Sequence, residues 1–112
     1  MRGPRLSRLL TLETPQRAAD GAGGFVESWQ ALGDLWAEMK PRSGREVSAG
    51  GITLSRVRYR ITLRAAPEGS AMRPRPEQRF REGARVYLIR AVAELAHEGR
   101  YLVCFADEEA AA

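Results

Sequence analysis

Few residues in this chain have the type and spacing that chemistry needs. His97 is the single histidine and Cys104 the single cysteine. A zinc site takes several Cys, His or carboxylate ligands at close spacing. His97 instead sits beside Glu98 in a predicted turn, and Cys104 lies in a predicted strand with no second thiol. No Ser-His-Asp set has a nucleophile context. Gly21-Ala22-Gly23-Gly24 is followed by neither Lys-Ser nor Lys-Thr nor a helix start, so it is not a phosphate loop. Carboxylates can always be nominated for acid–base work, but none here is set apart by an apolar neighbourhood. The chain is expected to bind no metal and no cofactor, and not to be an enzyme.

What remains is charge. The chain carries 18 Lys and Arg against 14 Asp and Glu, a net charge of +4. Lys40 is its only lysine. Arg56, Arg58, Arg60 and Arg64 share one phase of a predicted strand and could line phosphates. A small five-stranded barrel is also the shape of oligonucleotide-binding folds. Single-strand binders, however, stack bases on aromatics of that same face, and Tyr59 shares the opposite phase with Val57 and Ile61. An OB-like nucleic-acid-binding barrel is therefore the alternative reading. Thr53–Arg90 is basic and Ala91–Ala112 is acidic. The two could meet between neighbouring subunits, or simply be solvated.

The elements that would position these residues are strands. Length, 112 residues, suits one domain, read here as 5–108 with a frayed tail beyond it, from Asp107 or at least over 109–112. No apolar run approaches the ~18–20 residues of a membrane-spanning helix, and residues 1–12 do not read as a signal peptide. One cysteine makes no internal disulfide, which suits a reducing compartment. Leu6–Thr14 alternates as a first strand that Pro15 ends. Asp20–Gly24 is a hairpin connection. Phe25–Trp29 and Leu35–Lys40 read as strand pieces about a bulge at Gly33-Asp34, with a helix over 25–40 as the other option. Pro41–Ile52 reads as a mobile loop. Arg56–Ala65 is the cleanest strand, with Val57, Tyr59, Ile61 and Leu63 inward. Residues 66–76 form a Pro-rich loop, Gln78–Arg81 and Arg85–Val92 a hairpin about Glu82-Gly83, and Arg100–Ala106 a last strand. The fold class is all-β: a small antiparallel barrel with long loops and little or no helix. Trp29, Trp36, Tyr59, Ile61, Tyr87 and Ile89 are its expected core.

The order Gly23-Gly24, Trp29, Trp36-Ala37 and Pro41-Arg42-Ser43-Gly44-Arg45-Glu46 resembles the phage head–tail joining family, also called head-closure, stopper or head–tail adaptor proteins. Leu6–Pro15 is similar to that family's first strand. Arg60-Ile61-Thr62-Leu63-Arg64 looks like its central strand, and Gln78-Arg79-Phe80-Arg81-Glu82-Gly83 with Arg85–Ile89 like its late hairpin. Arg100–Cys104 completes the match. The versions most alike come from alphaproteobacterial phages and gene transfer agents.

The resemblance implies a structural virion protein that forms a ring between portal or adaptor and tail. Such a ring closes the head channel and offers the tail its attachment surface. Implied partners are copies of itself, sixfold favoured over twelvefold, the adaptor or portal ring, the tail terminator or tail protein, and packaged DNA in the channel. No membrane partner is implied. The particle would be assembled in the bacterial cytoplasm. Arg42, Ser43, Gly44, Arg45 and Glu46 fall in the family's long loop, which plugs or lines the channel. Leu9, Leu88 and Val103 stand where outward polar residues are expected; they face either an assembly contact or, one register over, the core.

Overall fold

The computed structural model describes residues 3–49, 52–95 and 99–109, with the backbone alone over 43–49 and 52–56. Its strands are β1 (Arg8–Ala19), β2 (Phe25–Ala49), β3 (Ile52–Arg64), β4 (Arg79–Glu82), β5 (Arg85–Leu95) and β6 (Tyr101–Glu108). All pairings are antiparallel, and the sheet closes in the order β1-β2-β3-β6-β5-β4. The fold is all-β, with no helix among the described residues. Closure is how so small a sheet hides its edges. His97 and Glu98 lie outside the described residues.

Alternation fills the barrel. Ile61 and Leu63 of β3 are buried, with Arg64 in the opposite phase exposed. Leu10 and Leu12 of β1, Phe80 of β4, Tyr87 and Ile89 of β5, and Leu102 and Cys104 of β6 complete the core. Each large side chain removed from water contributes roughly 1.5–3 kcal/mol. Burial pushes the Cys104 thiol up to about 12. Tyr59 packs against this core, edge-on to Tyr87 with ring centroids 5.1 Å apart.

The two ends of the barrel are closed differently. At one, the 65–78 loop folds over. There the Gln78 side chain accepts a hydrogen bond from the Arg75 amide at 2.8 Å and donates to Thr14 Oγ1 at 3.3 Å. At the other, polar side chains of the inward phase form a plug. Arg8 grips both oxygens of Glu82, and Arg85 grips Glu108 through bonds of 2.8 and 3.0 Å. The Tyr59 hydroxyl accepts from Arg85 at 3.1 Å and donates to Glu108 at 3.3 Å. The Tyr87 hydroxyl is buried with no partner among the described residues.

Two hairpins outrun the barrel, and here the structure corrects the sequence reading. Pro15 does not end the first strand: it lies inside β1 opposite Trp29. Beyond Glu13 only β2 flanks β1, so Pro15 stands on an edge, where a missing N–H is tolerated. Residues 14–19 and 25–30 thus form a first arm. Its tip is tied by Asp20, whose carboxylate accepts from the amides of Ala22 and Gly24 at 2.8 and 3.0 Å. β2 is one strand, not two pieces or a helix. Its bulge falls at Leu32, since Leu12 pairs with Gly33 and Glu13 with Ala31, and Gly33 takes φ +157°. Pro41–Ala49 is not a loop: it continues β2, paired with Ile52–Tyr59 as a second arm. Period-two register with β3 overrides its Gly and Ser content. By the direction of the strands, the first arm leaves beside the 65–78 loop and the second beside the plug. The C-terminal strand reaches Glu108, so Asp107 and Glu108 are not frayed.

Candidate functional site

The second arm is the segment that the sequence singles out. Arg42, Ser43, Gly44, Arg45 and Glu46 lie in β2, where a register shift interrupts the pairing between Arg42↔Arg58 and Arg45↔Arg56. The side chains of 43–46 fall outside the described residues. At the root of the arm, β2 and β3 set Lys40 opposite Arg60 and Arg42 opposite Arg58. Inward Met39 and Ile61 fix the phase, so these four cations share the outer face. The Arg42 guanidinium lies 5.5 Å from the ring centroid of Phe105, the β6 partner of Arg60. The arginine face is therefore not free of aromatics, as β3 alone implied: the neighbouring strand supplies one.

The basic and acidic parts of the chain meet within the subunit. β6 lies between β3 and β5, so Asp107 accepts from Arg58 at 3.1 Å and Arg90 at 3.2 Å. Glu13 of β1 holds Arg79 at 2.7 Å and Arg81 at 2.9 Å from β4. Burial alone would raise both carboxyls, but the hydrogen bonds and charges of their paired arginines outweigh it and hold them below the ordinary range. Glu82 and Glu108 are lowered mainly by their bonds to Arg8 and Arg85. The Arg79-Phe80-Arg81 spacing was the visible signal for the Glu13 clamp. It places two arginines on one strand face, two residues apart.

Neither tryptophan belongs to the barrel core. Trp36 is 56% exposed because Ala37 takes the inward slot and alternation turns its neighbour out. Trp29 is half-buried, with the Arg79 guanidinium 4.1 Å from its ring centroid. Leu9, 45% exposed, pairs directly with Trp36 across β1 and β2. Phe25 and Val26 stand exposed near the tip of the first arm, Phe25 beneath Arg17. Leu88 is half-buried in the outward phase, between buried Tyr87 and Ile89. Val103 also alternates outward yet is buried. Its cover is the segment before β1. The Arg5 amide donates to Glu38 at 2.8 Å and Gly3 lies against the Tyr101 hydroxyl, so residues 3–5 cross this face. A cleft of about 550 Å³ remains there, walled by Arg5, Glu38, Lys40, Arg60, Thr62 and Leu95.

Among the described residues no group of three or more His, Cys, Asp or Glu converges as a metal site would need, and no helix is long and apolar enough to cross a membrane. The surfaces this fold offers are two arms, an apolar pair and a basic face. The model of one family, the phage head completion proteins, matches residues 1–109. The chain belongs to that family. Its structure is also similar to a chain in the virion of a native gene transfer agent particle. The identity is 57% and the TM-score 0.83, covering 98% of this chain and 100% of that one. No curated protein matches. The resemblance to head–tail joining proteins, and to gene transfer agent versions in particular, is thereby shown, and with it a structural role in the particle.

Proposed function

We propose that this chain forms a non-enzymatic ring at the head–tail junction of a gene transfer agent or phage particle, between portal or adaptor and tail. The observation that carries the reading is the full-length likeness to a chain of a gene transfer agent virion. Copies of the chain, six in the favoured arrangement, meet head to tail, the contact type that closes into rings. The exposed Leu9–Trp36 pair supports such a contact, since large apolar side chains standing together in solvent mark an interaction surface. The second arm, carrying Arg42 to Glu46, reaches into the channel where DNA is held. The first arm, leaving the opposite end, reaches the ring on the other side.

Removing the chain from producing cells tests this. Heads that lose their DNA and free tails should accumulate unjoined, and restoring the chain should restore filled, joined particles. Normal joined particles in its absence would end the proposal. Replacing Arg42 and Arg45 with Ala should leave the melting temperature nearly unchanged, because both lie in the arm beyond the barrel wall, and yield particles that leak DNA or lack tails. Parental particle yield from that variant would reduce the arm to a connector.

A further inference from the structure

The register of β2 against β3 sets like charges face to face. Lys40 pairs with Arg60, Arg42 with Arg58, and beyond the register shift Arg45 with Arg56. Like charges directly opposite in an antiparallel ladder are destabilising. Elsewhere on the barrel several arginines are answered by carboxylates: Arg8 by Glu82, Arg79 and Arg81 by Glu13, Arg85 by Glu108. At the root of the second arm the answer falls short. Asp107 is shared between Arg58 and Arg90. Glu38 already accepts the Arg5 amide and stands 3.9 Å from the Lys40 ammonium. The side chains of Lys40 and Arg58 remain 69% and 52% exposed. The ladder therefore carries a repulsion that an external anion would relieve.

We propose that this outer face, centred on Lys40, Arg42, Arg58 and Arg60, binds the phosphate backbone of duplex DNA. Spacing fits: outward residues two apart on a strand are separated by about 7 Å, and one strand of a duplex presents a phosphate about every 3.4 Å of axis. Because that backbone also winds around the axis, Arg58 and Arg60 reach two different phosphates of one strand. The open cleft beside them is walled by Arg5, Lys40 and Arg60, with Glu38 its one carboxylate, which already meets the Arg5 amide and Lys40. Single strands fit less well at this centre, since Arg42 covers Phe105, the aromatic ring that lies against these cations. The proposal rests on the head–tail reading only for the source of the DNA, and the binding it predicts belongs to the purified chain.

The test is fluorescence anisotropy of a short random-sequence duplex, titrated with the purified chain at several salt concentrations. Lys40→Gln with Arg60→Gln should lower the slope of log affinity against log salt by about 1.8, or about 0.9 for each phosphate no longer neutralised. Arg17→Gln with Arg75→Gln removes the same charge far from the site and should leave the slope at the parental value. Circular dichroism melts establish that both variants fold. Equal slopes for the two variants would overturn the proposal, because binding would then follow net charge alone. So would stronger competition by polyglutamate than by duplex of equal charge, since the partner would then be an acidic protein segment. Loss of the DNA slope change with head–tail joining intact would sink this site and leave the junction role standing.

Discussion

At the scale of single residues, paired carboxylates and one unpaired hydroxyl give the sharpest expectations. The folded carboxyls of Glu13, Glu82, Asp107 and Glu108 are all depressed. Their contribution to stability is therefore full above the unfolded carboxylate values of about 4 and is lost as pH falls through the lower folded values. The urea midpoint should be flat from neutral pH to about pH 5 and drop below about pH 4. Glu13→Gln should cost about 1–2 kcal/mol at neutral pH and flatten part of the acid slope, the figure discounted because Arg81 is partly solvated. Tyr87→Phe removes a buried hydroxyl without a partner, so it should be neutral or stabilise by up to about 1 kcal/mol in thermal melts. Trp36→Ala should change stability by no more than about 0.5 kcal/mol, while light scattering should show weaker self-association. The exposure of Trp36 was legible in the sequence, because it stands in the phase opposite Leu35, Ala37 and Met39; those same apolar neighbours argued for the core when phase was set aside. The Asp107 clamp was not legible, because it needs β6 inserted between β3 and β5, an order that no local pattern specifies.

At the scale of elements, the barrel strands followed from period two and the arms did not. Alternation over Arg56–Ala65 reported one wet and one dry face, and β3 has both. Along the first arm both faces meet water, so no burial contrast marks it as strand, and in the two arms Pro15, Gly44 and Ser48 read as breakers. Backbone pairing between two chain segments decides there. The bulge was visible through its glycine, one residue from the extra Leu32. Gly33→Ala should cost roughly 1–3 kcal/mol in chemical denaturation, since φ +157° disfavours a Cβ. The Met72 thioether, 2.9 Å from that Cβ position, can swing aside and adds little. An unchanged denaturation midpoint would mean that the bulge relaxes freely.

At the scale of the whole molecule, the chain measures 54 × 40 × 24 Å, long for a barrel of this size because the arms extend from opposite ends. Composition showed a basic protein with no site chemistry; only tertiary pairing revealed which charges are spent internally and which remain. β2 is the feature with the widest reach. Its 25 residues begin in one arm, cross the barrel wall and finish in the other. Within the wall it is hydrogen-bonded to β1 on one side and β3 on the other. If both arms are gripped, tension between them runs along a single continuous backbone. The rungs of both ladders then bear it together in shear, not one after another as in unzipping. The barrel would act as a rivet through which two neighbouring rings pull on each other, stiff along its axis whichever ring is loaded first.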